Sequence, residues 1–322
     1  MDTISTFSVE GISKPISSLV LGTAFYDLAN KDHWFEILDE FQSHGGTTLD
    51  SGRRYGDSET VIGAWLKSKP SRVRDRMVLI TKCGHGDKGI IPENNMETVF
   101  DSELKQSQER LETEYVDLYM LHRDNANIPV ARIMDCLNRY VDTRRVRALG
   151  ASNWTYPRIR RANDYARMSG LVGFSAVSNH LSLAVSEESF YPGLVTVDTD
   201  GEQWHSDTKI PLIPWSAQAR GFFTGVYSPE DREAALGNGE FVKRMYKIYG
   251  TESNFERLKR ATELGRMKGY TAMEVALRWL VNKPYTIAPI IGPHSREELR
   301  SCIKALSLVL TEEECKWLYH VN

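Results

Sequence analysis

Four polar residues lie where predicted β-strands end, and their types together suit proton transfer. Asp50 and Tyr55 occur in TLDSGRRYGDSE (48–59), at the end of one apolar run and just beyond it. Lys82 ends the run MVLITK, and His122 ends the run VDLYMLH. The carboxyl ends of parallel strands meet at one face of a sheet, so we expect the four side chains to converge. A carboxylate, a phenol, an ammonium and an imidazole at one place form a candidate proton-handling site.

Strands and helices are predicted to alternate along the chain. Apolar runs rich in Val, Ile and Leu predict eight strands, near 17–22, 46–50, 76–82, 115–122, 146–152, 173–178, 210–215 and 286–292. Most of these runs are apolar throughout, which is typical of strands covered on both faces. Apolar residues at i, i+3, i+4 and i+7 predict amphipathic helices at 32–44 and 131–145. Capping boxes predict three late helix starts, at Thr271 with Glu274, Ser295 with Glu298 and Thr311 with Glu314.

This alternation over 322 residues predicts an α/β fold, a closed (β/α)8 TIM barrel, as a single domain over 1–322. A doubly wound open sheet is the main competitor, but no G-x-G-x-x-G follows the first strand. The stretch 6–16 is expected to form a hairpin that closes the bottom of the barrel. Helices are expected to end the chain, the last of them at 312–320.

Composition and charge exclude several classes of function. The formal charge is −3 and there is no long Lys/Arg run, so nothing in the electrostatics favours nucleic acid or an anionic membrane. No apolar stretch approaches the roughly 18 residues of a membrane-spanning helix. The N-terminus lacks the basic and apolar segments of a secretory signal, so we expect a cytoplasmic protein. The scattered cysteines are expected to be reduced and show no metal-ligand spacing; they are Cys83, Cys136, Cys302 and Cys315.

Recognisable motifs fall at successive strand ends. They are GTAF at 22–25, TLDSGRRYGDSETVIGAWL at 48–66, LITK at 79–82, YMLHRD at 119–124, LGASNW at 149–154, PWSAQARGFFTG at 214–225 and IIGPHSREEL at 290–299. In their order and spacing, the chain resembles the aldo-keto reductase superfamily over essentially its whole length. The resemblance implies a nicotinamide-dependent oxidoreductase that reduces an aldehyde or ketone to an alcohol.

Carbonyl reduction gives the four polar residues distinct roles. Negative charge builds on the substrate oxygen as hydride arrives, so the site needs a proton donor and a cation. Both the resemblance and this chemistry make Tyr55 the donor. A phenol with an ordinary pKa of about 10 is a poor acid at neutral pH, and Lys82 is expected to ease proton release by stabilising the phenolate. Asp50 would keep Lys82 charged, and His122 would orient the substrate oxygen.

The resemblance also implies which strand ends hold the nicotinamide half of the cofactor. The matching positions are Gly22, Thr23, Asp50, Ser152, Asn153, Ser178 and Trp215. The Ser152-Asn153 pair matches the residues that bind the carboxamide. Ser178-Asn179 stands where the family has a glutamine, so which of these two makes the contact is open. Trp215 takes the place of the aromatic residue that stacks on the nicotinamide ring.

A second set of positions matches the phosphate and adenosine half. These are Ser216, Gln218, Arg220, Gly292, His294, Ser295 and Glu298. A guanidinium such as that of Arg220 pairs well with pyrophosphate oxygens, and the helix starting near Ser295 offers its N-terminus to a phosphate. His294 stands where the family places a basic residue that grips the 2′-phosphate of NADPH. NADPH is therefore expected, with NADH open, while Glu298 matches an adenine contact and equally fits a capping box.

Loops are expected to choose the substrate, which is the one partner that the sequence indicates. Polar loop residues such as His85 and Arg123 hint at a hydroxylated, sugar-derived carbonyl compound. An alternative comes from another functional class, because the superfamily includes potassium-channel β subunits that hold nucleotide and act mainly as regulatory partners. A barrel scaffold without nucleotide is a third reading. The sequence does not indicate an oligomeric state.

Overall fold

A ring of parallel strands lies at the centre of the protein, as seen in a computed structural model that describes residues 3–86, 90–231 and 239–321. The strands are Thr6–Val9 (β1), Ile12–Ser17 (β2), Val20–Gly22 (β3), Thr48–Asp50 (β4), Val78–Cys83 (β5), Val116–Leu121 (β6), Val146–Ser152 (β7), Phe174–Ser178 (β8) and Ile290–Ile291 (β9). From β3 to β8, each strand pairs in parallel with the next along the chain, and β9 pairs with β3. The predicted strand ends therefore lie on one face.

The seventh predicted strand is reduced to two bridging residues, Leu212 and Trp215, and Trp215 pairs in parallel with His180. Leu212 closes the ring. It pairs in parallel with Val177 of β8 on one side and with Ile287, just before β9, on the other. Pro211 and Pro214 lack the amide that a ladder needs, which keeps this strand short. The bridges nevertheless close the ring between β8 and β9, so the predicted (β/α)8 barrel is confirmed.

The N-terminal hairpin closes the bottom of the barrel, as predicted. Strands β1 and β2 pair antiparallel, and Val9, Ile12 and Ile16 pack against the inward-facing residues of the barrel. At the turn, Gly11 has a φ of +84°, and a Cβ there would lie 2.9 Å from the Arg147 carbonyl oxygen. The hairpin thus seals this end, and the carboxyl ends of the strands are left for a pocket.

Helices surround the ring and follow most strands. They are Lys31–Ser43 (α1), Ser58–Lys67 (α2), Arg72–Arg76 (α3), Met96–Arg110 (α4), Val130–Asp142 (α5), Tyr156–Met168 (α6), Thr199–Thr208 (α7), Glu240–Tyr249 (α8), Glu252–Lys268 (α9), Ala272–Val281 (α10), Arg296–Lys304 (α11) and Glu312–Tyr319 (α12), with short 3₁₀ turns at Ala219–Thr224 and Ala305–Ser307. The helices predicted from amphipathic spacing are α1 and α5, and each ends slightly earlier than predicted. Within the described ranges, no helix is both long and apolar enough to cross a membrane.

Two of the three predicted capping boxes form in full, at the starts of α10 and α12. The third is a correction. The Ser295 hydroxyl accepts from the Glu298 amide at 3.1 Å, but the Glu298 carboxylate accepts from the His294 amide at 2.7 Å instead of from Ser295. The backbone of Ser295 is more extended (φ −144°) than at the other two caps, which presents the preceding amide to the carboxylate.

Candidate active site

Lys82 and Asp50 form a buried ion pair at the carboxyl ends of β5 and β4. The Lys82 Nζ atom lies 2.5 Å from Asp50 Oδ1 and donates to the Ser51 carbonyl at 2.8 Å. Burial alone would lower the pKa of Lys82, but Asp50 and Tyr55 outweigh it, and the pKa is raised. Burial raises the pKa of Asp50, and the adjacent Lys82 opposes that rise. The lysine is therefore held as a cation inside the barrel mouth.

Tyr55 and His122 complete the cluster above this pair. The Tyr55 hydroxyl lies 3.3 Å from His122 Nε2, with the two rings edge to face at 5.4 Å. Lys82 Nζ lies 4.9 Å from the centroid of the Tyr55 ring. A turn after β4, in which the Tyr55 amide donates to the Gly52 carbonyl at 2.9 Å, brings the phenol back over the strand end. The structure thus brings all four predicted residues together.

Burial is the largest influence on the pKa values of Tyr55 and His122. Burial raises the pKa of Tyr55, and Lys82, which acts in the predicted downward direction, does not outweigh burial. The phenol is therefore kept protonated at neutral pH, as a proton donor must be. Burial, with smaller contributions from Lys82, His85 and Arg123, holds the pKa of His122 well below its usual range. The imidazole is neutral and can orient an oxygen without adding charge.

Buried polar atoms without a hydrogen-bond partner lie among the predicted nicotinamide positions. Within the described ranges, Ser178 Oγ, Asn179 Oδ1 and Trp215 Nε1 have none. A buried polar group left unpaired costs about 1–3 kcal/mol. These atoms fit a polar ligand group at this place, such as a carboxamide. The cysteines, by contrast, are free thiols, and no group of three or more His, Cys, Asp or Glu side chains in the described ranges is arranged to hold a metal ion.

Comparison with known proteins assigns the chain to a family. The Aldo/keto reductase family matches residues 18–322. The chain belongs to this family. It is 29% identical to norsolorinic acid reductase of Aspergillus flavus over 294 residues, which cover 88% of this chain and 69% of that protein. It is 25% identical to versiconal hemiacetal acetate reductase of Aspergillus parasiticus over 332 residues, covering 94% and 92% of the two chains. It is 26% identical to putative aryl-alcohol dehydrogenase AAD14 of Saccharomyces cerevisiae over 326 residues, covering 94% and 82%.

Other predicted nicotinamide contacts of this aldo-keto reductase are engaged within the protein. Thr23 donates its hydroxyl to the last carbonyl of β4 at 2.9 Å. Ser152 donates to the Ser178 carbonyl at 2.8 Å. The Asn153 side-chain amide donates to the His122 carbonyl at 3.2 Å. These hydrogen bonds hold the strand ends in place. Polar atoms of Ser178, Asn179 and Trp215, by contrast, have no partner among the described residues and are free to bind a ligand.

The predicted pyrophosphate segment of this aldo-keto reductase has an uncommon backbone. Ser216, Ala219 and Arg220 have φ values of +50°, +47° and +52°. Left-handed backbone at non-glycine residues costs of order 1–3 kcal/mol and tends to persist at ligand clamps. Alternating helical and left-handed residues also make concave nests of amide groups that bind anions. Arg220 lies over the Phe190 ring at 3.9 Å, and its Nε atom is buried with no partner among the described residues, which fits a phosphate ligand.

Three further predicted positions differ in how closely their surroundings pack. Gln218 donates its amide to Cys302 Sγ at 3.4 Å, which ties the pyrophosphate segment to α11. A Cβ at Gly22 would lie 2.6 Å from the Ile290 side chain, so the close pairing of β3 with β9 requires glycine there. A Cβ at Gly292 would have no atom within 4 Å, which leaves open space before α11.

The predicted 2′-phosphate position carries acidic neighbours. Arg296 and Arg300 each form an ion pair with Glu40 of α1 at 2.7 Å. The Glu298 carboxylate accepts a hydrogen bond from the backbone amide of His294. Positive charge at the start of α11 is therefore partly neutralised by two carboxylates, a feature that the sequence pattern did not reveal.

Sequence reasoning missed a histidine behind Trp215. His180 lies two residues beyond Ser178 on the continuation of β8, and its ring centroid is 4.9 Å from the Trp215 ring. Its Nε2 atom contacts the Tyr249 hydroxyl at 3.1 Å, and its Nδ1 atom contacts Thr196 Oγ1 at 3.2 Å. Burial lowers the pKa of His180 to about 3, so it supports Trp215 as a neutral ring. The sequence signal that could have identified His180 is its two-residue spacing from Ser178.

Proposed function

We propose that this aldo-keto reductase reduces an aldehyde or ketone to an alcohol with NAD(P)H, and that Tyr55 donates the proton. The observation that carries this proposal is the placement of the Tyr55 hydroxyl 3.3 Å from His122 Nε2, beside the buried Lys82–Asp50 pair. The names of the relatives, which include reductases and an alcohol dehydrogenase, support the same class of reaction.

The residues act in sequence on the substrate oxygen. When bound, the nicotinamide supplies the hydride. Tyr55 gives its proton to the oxygen as negative charge develops there, and Lys82 stabilises the phenolate that remains. Asp50 keeps Lys82 charged throughout. Neutral His122 orients the oxygen by a hydrogen bond, and solvent returns a proton to Tyr55 after product leaves.

We place NADPH first among the cofactors, with NADH second. Trp215 would stack on the nicotinamide, and Ser178 or Asn179 would contact the carboxamide. The segment from Ser216 to Arg220 would hold the pyrophosphate, and His294 would face the 2′-phosphate. The carboxylates of Glu40 and Glu298 beside that last position make a direct comparison of the two nucleotides necessary.

Steady-state kinetics test the proposal. Consumption of NADPH and of NADH is followed by absorbance over a panel of aldehydes, ketones and keto-sugars, with nucleotide binding followed in parallel by quenching of tryptophan fluorescence. We expect nucleotide binding and a kcat on the order of 1 s⁻¹ or more for at least one carbonyl class. Tight nucleotide binding without turnover across the panel would contradict a reductase and would favour a regulatory role. Absence of binding for both nucleotides would contradict the cofactor assignment.

A further inference from the structure

Arg123 is a buried cation for which the described residues supply no complete set of acceptors. It follows His122 at the end of β6 and is 8% exposed. Its Nε and Nη1 atoms are buried and have no hydrogen-bond partner among residues 3–86, 90–231 and 239–321. Charged side chains are almost never buried without a partner, because desolvating an unpaired charge is costly. A hydrogen-bond acceptor on a bound ligand would offset the desolvation cost of the Arg123 guanidinium.

The nearest acidic residue in the chain is not available to Arg123. Asp124 accepts from Arg158 Nε through both carboxylate oxygens, at 2.9 and 2.7 Å. Arg158 is held in turn by the carbonyls of Asn125 and Ile128, at 2.9 and 2.6 Å. Asp124 and Arg158 thus neutralise each other and fix the loop after β6. The charge of Arg123 is left without a counter-charge from this loop.

The Arg123 guanidinium acts on the reactive end of the barrel. Its charge adds to the effect of burial in lowering the pKa values of His122 and His85, and it opposes the rise that burial causes in the pKa of Tyr55. Its backbone is fixed, because Trp154 donates its indole N–H to the Arg123 carbonyl at 3.0 Å. Arg123 directly follows His122 at the end of β6 and is buried there, so little ordering is needed when a ligand arrives.

We propose that Arg123 binds an anionic group on the substrate, so that the pocket selects aldehydes or ketones that carry a carboxylate. This inference rests on the proposed function and names its substrate class. Arg220, which is half-buried, is proposed to hold the pyrophosphate, so Arg123 remains for the substrate. A guanidinium offers a carboxylate two parallel hydrogen bonds, which fixes the orientation of the substrate as well as its charge.

The protein without any substitution gives the first test. Values of kcat/KM are compared for 3- and 4-carboxybenzaldehyde and for their methyl esters, which share the ring and the reacting aldehyde. Charge-assisted hydrogen bonds predict a preference for the acid of about 10- to 100-fold for at least one isomer, weakening as salt is added. Equal values for acid and ester in both isomers, or a preference for the esters, would overturn the proposal.

Substitution of Arg123 gives the second test. In Arg123→Gln the ratio of acid to ester kcat/KM should fall to about one, mostly through the KM of the acid, and Arg123→Lys should restore part of it. The matched control is Arg132→Gln, which removes an arginine that is paired with Glu97 at 2.7 Å, and it should leave the ratio unchanged. An equal loss of kcat/KM for the acid and the ester in Arg123→Gln would instead show that Arg123 only maintains the structure.

Binding without turnover separates this inference from the proposed reaction. Benzoate and benzamide are titrated into the nucleotide-loaded protein by calorimetry, for the unsubstituted chain and for Arg123→Lys and Arg123→Gln. We expect benzoate to bind at least about tenfold more tightly than benzamide to the unsubstituted chain. This preference should be partly kept in Arg123→Lys and lost in Arg123→Gln. If no carbonyl compound is reduced, the proposed function fails while this result still decides the anion site. Equal binding of the two ligands would refute the anion site even in an active enzyme.

Discussion

Replacement of Asp50 by asparagine tests the buried ion pair that holds Lys82 charged. The substitution keeps the shape of the side chain and removes its charge. Lys82 is 2% exposed, so its ammonium would be left inside the protein without a counter-ion. Removing one partner of a buried pair costs about 3–5 kcal/mol. The Ser51 carbonyl and the new amide oxygen would still accept from Lys82, so we expect a loss of about 2–4 kcal/mol.

This loss has a measurable size and pH dependence. With an unfolding entropy of about 2.1 cal/mol/K per residue, the melting temperature should fall by roughly 3–6 °C for a chain of 322 residues. The raised pKa of Lys82 stabilises the unsubstituted fold below about pH 10.5, and that stability is lost as pH rises through the folded pKa. In Asp50→Asn the charge of Asp50 no longer opposes burial, so the pKa of Lys82 is lowered. The loss in the free energy of unfolding is therefore largest at low pH, where Lys82 is charged. The difference in melting temperature should therefore narrow as pH rises towards and beyond about 10.5.

Thermal melts by circular dichroism and pH profiles of turnover measure both effects. The alkaline limb of kcat in Asp50→Asn should move to lower pH by about one unit or more, because Lys82 loses its charge earlier. Asp117→Asn is the matched control, since Asp117 pairs with Lys14 at 2.8 Å and with Arg74 at 3.0 Å at the closed end of the barrel. It should lose stability without moving the turnover profile. Equal melting temperatures and profiles for Asp50→Asn and the unsubstituted protein would refute the reasoning.

Two further predictions concern the cofactor and the histidine. Glu40→Gln should release Arg296 and Arg300 and tighten the binding of NADPH relative to NADH by up to about fivefold, as measured by fluorescence quenching. Glu36→Gln on the same helix is the control and should leave the ratio of the two affinities unchanged. If Glu40→Gln instead weakens the binding of NADPH relative to NADH, the result would count against a 2′-phosphate site there. Because His122 is neutral, kcat/KM for reduction should show no limb from this residue between about pH 5.5 and 7.5; a limb in that range that disappears in His122→Gln would contradict the assigned charge state.

Much of the barrel could be predicted from apolar runs, because strands buried on both faces leave a continuous hydrophobic signal. Strand β7 was predicted with the bounds that the structure shows, and β8 within one residue. Once parallel strands were predicted, the convergence of Asp50, Lys82 and His122 followed from their places at strand ends. The position of Tyr55 was harder to predict, because it depends on the turn after β4, which the sequence from Ser51 to Gly56 only implied.

Other features depend on three-dimensional balances that no local pattern contains. The pKa of Tyr55 reflects burial against the charge of Lys82, and only the structure shows that burial is larger. The carboxylate of Glu298 accepts from the His294 amide and not from that of Ser295, where the backbone is more extended than at Thr271 and Thr311. His180 was overlooked because the apolar run of β8 ends at Ser178, while the polar continuation of the strand still contacts Trp215.

The most direct test of the central claim, that Tyr55 supplies the proton, is single-turnover oxidation of bound NADPH by a carbonyl substrate in Tyr55→Phe. The phenyl ring keeps the packing and removes only the hydroxyl. We predict that the rate falls at least about a hundredfold, while the dissociation constant of the nucleotide stays within about twofold. A Tyr55→Phe protein that turns over at the rate of the unsubstituted enzyme would contradict the account.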